Sequence, residues 1–324
     1  MEHKAENMID INTLIESVEE SEELSYLIKK LFIDNERILL PLAQSLDESD
    51  VEKYVSKTRQ ICEALSKIYN NNFPQYIDNA IKGLQFHSIE FLRLQSAFGR
   101  TKEYAAESAE EVFAEVYDSP KIMKQYLDGL LLTYVAWPNH YKLLNYFEEQ
   151  YVSACPTGNC LEVGPGHGFL SLLLLQQDKG RELLGLDISP HSVRYTQEML
   201  IKHGINENRF KIKAADATKG INADTKFDAI IIAEVLEHIT RPDLLLKEAV
   251  LHATKNTRMF MSTVVNIESI DHLYLYRTLD EVSEMFDKCG LEIISQLNMP
   301  LNLGNVDYDA YEVAIICKLK SSFC

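Results

Sequence analysis

Cysteine pairs are missing from this chain. Its six cysteines, Cys62, Cys155, Cys160, Cys289, Cys317 and Cys324, include no C-x-x-C pair, and several fall in apolar strand or helix patterns, as buried thiols do. Cys155 and Cys160 stand close together, but no matching His or Cys pair completes a metal site, so no metal is expected. Cys324 is terminal rather than fourth from the end, so no prenylation box is expected. Positive charge is scarce as well: 32 Lys and Arg stand against 49 Asp and Glu, a net charge of −17, with no basic run. That balance argues against a nucleic-acid partner and against an anionic membrane surface. It leaves a small neutral or cationic substrate or a protein partner, although acidity is also a common solubility device. No segment reaches the roughly 18 apolar residues of a membrane span, and the acidic start Met1-Glu2-His3-Lys4-Ala5-Glu6 is not a signal peptide. A cytoplasmic protein is expected. Low-complexity segments and fixed-period repeats are absent, and tryptophan occurs once, at Trp137.

What is present is enough for two domains. The 324 residues exceed a usual single domain, and a hydrophobic content of 46% is ample for cores. The chain divides near Pro156-Thr157-Gly158-Asn159, giving an expected helical domain over 1–156 and a second domain over 157–324. In the first part Ile11, Leu14, Ile15 and Val18, then Leu24, Leu27, Ile28 and Leu31, form amphipathic stripes. Ser49-Asp50-Val51-Glu52 reads as a capping box, with Tyr54, Val55, Thr58, Cys62, Leu65 and Ile68 along one face. Pro74, Ser108 with Glu111, Ser119-Pro120 and Pro138 open further helices. The stripes are most simply a bundle core, and the first, at the free end, is a surface through which two chains could pair into a homodimer.

After position 156 strand and helix alternate. Strands are expected near 160–163, 182–186, 209–214, 227–233, 258–262, 291–297 and 311–319. Ser189-Pro190 opens one helix and His203-Gly204 closes it, Pro242 opens another, and Thr278 with Glu281 caps a third that Gly290 ends. The last two strands follow each other with no helix between. The most informative stretch is Leu161-Glu162-Val163-Gly164-Pro165-Gly166-His167-Gly168-Phe169-Leu170, a buried strand running into a glycine turn and a leucine-rich helix. Bare backbone there lets a ligand approach, and the helix start offers unpaired N–H groups to an anionic group such as a carboxylate. The spacing is G-x-G-x-G, since a dinucleotide fingerprint would need glycine where Phe169 stands. Asp187 lies 23 residues after Gly164, near the offset at which a doubly wound fold places an acid on ribose hydroxyls.

Glu162 with the glycine turn, Asp187 after Leu183-Leu184-Gly185-Leu186, Ala215-Asp216-Ala217, and the apolar run 227–233 ending in Glu234-Val235-Leu236-Glu237-His238 occur in the order of class I S-adenosylmethionine-dependent methyltransferases. The last segment resembles that of the ubiquinone-biosynthesis type. The resemblance covers 157–320. The all-α domain before it, expected from the helical stripes, reads as a lid that selects substrate, and the resemblance itself implies a doubly wound, seven-stranded, mostly parallel sheet with a terminal antiparallel hairpin. It also implies S-adenosyl-L-methionine as cofactor, held by Glu162, Gly164, Pro165, Gly166, Gly168, Asp187, Ile188, Asp216, Ala217 and Glu234, with Asp216 accepting from the adenine amino group. Asp187 and Asp216 also read as turn or N-cap acids, and His167 as a bystander in the turn.

Methyl transfer asks mainly that a nucleophile be held in line in a site free of water. Candidate bases or substrate orienters are Glu234 and His238 after the fourth strand and His272 in the loop after the fifth, where the carboxyl edge of an open sheet binds ligands. For His238 and His272 a capping or packing role stands beside that of a base. Asp271 and Tyr274 of the same loop, with Trp137, His140 and Tyr141 of the segment before the last N-terminal helix, are candidate substrate contacts. Tyr104 and Tyr117 are weaker ones. The aromatic segment equally reads as a plug between domains. The expected acceptor is a small molecule of the secondary-metabolite or cofactor-precursor kind. The alternative is a protein or peptide methyltransferase docking through the helical domain.

Overall fold

The computed structural model describes residues 11–46, 48–105, 108–303 and 306–321. The readings on Met1–Glu6 and on Cys324 lie outside the described residues. The chain forms two compact units: residues up to 88 with 125–144, and residues 89–124 with 145–324.

The first unit is helical. It holds α1 (Ile11–Glu16), α2 (Glu22–Lys29), α3 (Glu36–Ala43), α4 (Val51–Ile68) and parts of α5 (Gln75–Thr101), α7 (Pro120–Thr133) and α8 (Pro138–Tyr146), with the short α6 (Ala109–Val112) falling in the second unit. Leu24, Leu27, Ile28 and Leu31 are buried, as are Tyr54, Val55, Thr58, Cys62, Leu65 and Ile68 of α4, so the two stripes are core faces. The expected capping box is displaced. A 3-10 turn over Glu48–Asp50 precedes α4, which takes Asp50 rather than Ser49 as its N-cap. Ser108 accepts from the Glu111 N–H as expected, and α7 and α8 start at Pro120 and Pro138.

The second unit is built on β1 (Asn159–Val163), β2 (Glu182–Asp187), β3 (Phe210–Ala214), β4 (Ala229–Ile232), β5 (Arg258–Val265), β6 (Leu291–Pro300) and β7 (Tyr311–Leu319), ordered β3-β2-β1-β4-β5-β7-β6. All run parallel except β7, which is antiparallel to both β5 and β6. Helices α9 (Phe169–Gln177), α10 (Pro190–Lys202), α11 (Pro242–Leu251) and α12 (Leu279–Lys288) connect the strands. The apolar run at 227–233 yields a strand of only four residues, because Phe227 N–H bonds the His252 carbonyl instead and the chain leaves the sheet at Ala233. All four residues of β4 are buried, as a central parallel strand requires. Leu161, Val163, Ile230, Ile232, Met259 and Met261 pack in one cluster with Leu245 and Leu246 of α11 and Val282 and Phe286 of α12.

The compact units part at 88, 124 and 144. The Tyr151 hydroxyl lies 3.0 Å from the carbonyls of both Ile230 and Arg258. Gln95 donates to the Asn266 carbonyl at 2.9 Å and accepts from the Glu268 N–H at 2.8 Å. Segments before the first strand thus satisfy backbone groups of the sheet unit, which a change of secondary-structure type along the sequence does not disclose. No helix among the described residues is long and apolar enough to cross a membrane.

Candidate functional site

The turn between β1 and α9 is folded by its missing side chains. Gly164, Gly166 and Gly168 all take positive φ, at +70°, +56° and +73°, a region costly for residues with a Cβ. Space forbids one too: a Cβ on Gly164 would sit 2.5 Å from Val235 Cγ2, and one on Gly168 would sit 2.9 Å from Thr196 Cα. The Gly164 N–H donates to the Leu186 carbonyl at 2.8 Å, tying the turn to the end of β2. Asp187 closes that tie, its two carboxylate oxygens accepting from the Gly166 and Ser189 N–H groups at 3.1 and 2.9 Å. Burial pushes the Asp187 carboxyl up to about 6. His167 is a local cap, its Nδ1 accepting from the Phe169 N–H at 3.1 Å while burial holds the ring down at about 3.

These residues fit S-adenosylmethionine. Each Asp187 oxygen uses one acceptor position on the backbone and keeps another for a ribose hydroxyl. The turn has no side chain to stand between its backbone and the methionine carboxylate. Ile188, beside Asp187, leaves 44% of its surface exposed, an apolar face for a flat ring. Asp216 caps the 3-10 turn Ala217–Lys219, its Oδ1 accepting from the Thr218 N–H at 3.0 Å and its Oδ2 lying 3.1 Å from Lys219 Nζ. Burial raises this carboxyl, but the bonds from Thr218 and Lys219 outweigh it and hold it below the usual range. Ala217 is buried behind it. Glu162 lies beneath the turn, bonded by the Ser171 hydroxyl of α9 and pushed by burial up to about 7.

Beyond β4 the chain turns sharply. Glu234 takes a left-handed φ of +51°, unusual for a residue with a side chain, and its N–H donates to Ser262 Oγ of β5 at 2.9 Å. Burial and the neighbouring Glu237 push its carboxyl up to about 8, and its Oε1 is buried without a hydrogen-bond partner. Glu237 and His238 follow in a 3-10 turn. Glu237 is fully buried, its Oε2 accepting from Thr263 Oγ1 at 2.8 Å and its carbonyl from the Leu273 and Tyr274 N–H groups at 2.7 and 2.9 Å. His238 points Nδ1 at the Asp271 carbonyl at 3.1 Å, with Asp271 Oδ2 and Tyr117 Oη each at 3.4 Å. Burial alone would lower His238, but the Asp271 and Glu237 carboxylates prevail and raise it.

The loop after β5 brings its residues to the same place. Tyr117 Oη donates to Asp271 Oδ2 at 2.9 Å. His272 directs Nδ1 at the Ile267 carbonyl at 2.8 Å, its ring 4.9 Å from that of His238. Burial and His238 hold it down at about 4. Asp271 therefore partners His238 and not its sequence neighbour, in a turn rather than on a strand. Tyr104 packs its ring 5.5 Å from that of His272, with a buried hydroxyl that has no partner. Tyr274 packs instead against the apolar cluster of the sheet, its ring 4.7 Å from that of Tyr276.

Glu234, His238, Asp271 and His272 are thus assembled, with Tyr104 and Tyr117 beside them, all within the second unit. Trp137, His140 and Tyr141 belong to the first, where Trp137 and His140 rings lie 5.0 Å apart, His140 Nδ1 is 2.6 Å from Thr133 Oγ1, and Tyr141 is buried against Tyr54. Sequence reasoning passed over Glu237 and Glu312 as site residues. Glu312 is 3% exposed in β7, and burial with Glu234 and Glu237 nearby raises it well above the usual range. An isolated acid within the apolar run of β7 was the signal.

Residues 156–301 match the sequence profile of a family described as a methyltransferase domain. No curated protein matches the chain. Among solved structures the chain is similar to the [4+2]-cyclase SpnF, at 14% identity over 55% of this chain and 80% of that one, with a TM-score of 0.46. It is similar to an S-adenosylmethionine-dependent methyltransferase from Clostridium acetobutylicum, at 11% identity over 59% and 97%, with a TM-score of 0.47. A third is the O-methyltransferase of a trans-AT PKS multienzyme of Brevibacillus brevis in complex with S-adenosyl-L-homocysteine, at 14% identity over 56% and 72%, with a TM-score of 0.46. Residues 156–301 thus carry a methyltransferase domain, and the glycine turn and the sheet order fit the class I methyltransferase fold.

Proposed function

We propose that this enzyme moves the methyl group to a small-molecule acceptor held at the acid and imidazole cluster behind β4 and β5. The observation that carries this reading is adjacency. β1 and β4 are neighbouring strands, and Val235, between Glu234 and the 3-10 turn of His238, blocks the space a Cβ on Gly164 would fill. The donor turn and the polar cluster therefore share one edge of the sheet. The sulfonium methyl is electrophilic by itself, so the chain's residues have to hold the donor, aim the acceptor and exclude water. Gly164–Gly168, Asp187, Ile188, Asp216 and Ala217 hold the donor in this reading. Glu234, His238, Asp271 and His272 orient the acceptor's polar atom and take part in accepting its proton, with Tyr117 fixing Asp271.

The test uses the full chain, methyl-labelled donor and a cell extract split into low-molecular-weight and protein fractions. Label in the small-molecule fraction, abolished by His238→Ala, supports the reading. Label confined to protein overturns it in favour of a protein or peptide acceptor.

A further inference from the structure

We propose that Glu237, His238 and His272 form a binding site for one divalent transition-metal ion of the zinc class. One ligand atom from each lies within 4.8 Å of the other two. A short inward rotation brings them to the ~3.4 Å that separates two ligands on one tetrahedral zinc.

Both imidazoles are already set in the tautomer a metal needs. A backbone carbonyl only accepts, so the His238 and His272 Nδ1 atoms facing the Asp271 and Ile267 carbonyls carry the protons. In the neutral ring each Nε2 then carries a lone pair, and a ligating histidine is ordinarily oriented by such an N–H bond to an acceptor. Glu237 is oriented in the same way, by Thr263 on Oε2 and by two N–H groups on its carbonyl. Its Oε1 is fully buried and has no hydrogen-bond partner, and it lies 3.8 Å from His238 Nε2, beyond hydrogen-bond length. A cation seated among these atoms supplies the partner that Glu237 Oε1 lacks.

Two imidazoles and one carboxylate favour zinc, cobalt, nickel or iron over magnesium or calcium, which take oxygen ligands. Three protein ligands leave a coordination position open for water or an acceptor oxygen. The unpartnered Tyr104 hydroxyl stands beside the His272 ring to bond whatever occupies it. With the ion bound, His238 is a ligand and not a base. The site goes beyond the acceptor reading above, because an ion can be titrated with neither donor nor acceptor present.

The full chain, stripped with a chelator and dialysed, is titrated with Zn2+ alone by calorimetry and with Co2+ alone by visible absorption. One ion per chain is expected, with the intense visible bands of four- or five-coordinate Co2+. His272→Ala and Glu237→Gln should each weaken binding by more than the roughly 100-fold lost when a group that only orients a ligand is removed. His252→Ala, which removes a histidine paired with Glu248 on α11, should leave affinity unchanged. Circular dichroism identifies variants that remain folded, and His272→Gln replaces His272→Ala if the latter does not. A wild type that takes up no ion overturns the proposal, as does a folded His272 variant that binds Zn2+ as tightly as the wild type.

Discussion

The helical unit and the sheet unit bury similar aliphatic cores but quite different polar groups. In the helical unit several buried polar side chains close on neighbours: Tyr54 Oη donates to the Val135 carbonyl at 2.7 Å, Tyr69 to Asp128, and His87 Nε2 meets the Tyr126 carbonyl at 2.8 Å. The sheet unit buries Glu162, Asp187, Glu237, Glu268, Asp271, Glu312, His167 and His272. Burial raises the carboxyls of Glu162, Asp187 and Glu237 and lowers both imidazoles, so these groups are held in a disfavoured charge state or forced out of it. A core gains nothing from such groups, since apolar residues of the same size would stabilise it at least as well. Their concentration in one unit is what the proposed acceptor site rests on.

The contrast can be broken in graded steps. The largest effect is expected from Leu27→Ala in the helical unit, where a fully buried side chain is lost: about 2–5 kcal/mol of stability, read by denaturant unfolding. The affinity of the folded protein for S-adenosylhomocysteine should not change, and a parallel loss would show that the helical core also shapes the donor turn. Gly164→Ala comes next, at about 3 kcal/mol from backbone strain and overpacking against Val235. Here the loss should appear in stability and donor binding together. Asp187→Ala should weaken donor binding by about 1–3 kcal/mol through two lost charge-assisted hydrogen bonds, measured by calorimetry, and unchanged affinity would remove Asp187 from the donor site.

The smallest effect tests the buried imidazoles. The folded His167 titrates at about 3, against 6.5 when free. Above the free value neither state holds the proton and stability does not depend on pH through this group. Below it the unfolded chain binds a proton that the folded chain refuses, so stability is lost as pH falls, by about 2 kcal/mol at pH 5. The raised carboxyls of Glu162 and Asp187 act in the opposite sense, because the folded chain protonates them first. The comparison must therefore be a difference: unfolding free energy at pH 7 minus that at pH 5, for the wild type and for His167→Gln. The variant should lose less on acidification, and equal losses would mean that His167 is not shielded.

Much of the frame was readable from local signals. Ser189 caps α10, Thr278 caps α12 through the Glu281 N–H, and Gly204 and Gly290 take the positive φ that ends a helix, each where residue type alone placed it. The glycine turn was readable because three residues within five positions lack a Cβ. The cluster was only half readable. The positions of His238 and His272 at the sheet edge point to them, but Glu237, inside a motif, carries no such local signal.

Sequence alone determined the alternation of strand and helix, the caps and the bare turn, because each depends on groups within a few residues of one another. Tertiary structure decided that Tyr117 should reach Asp271 across 154 residues and that Asp271 should serve His238 across 33. It also decided the charge states of these groups, since a carboxyl or an imidazole leaves its ordinary value only when water has been removed from around it, and the folded chain alone removes it.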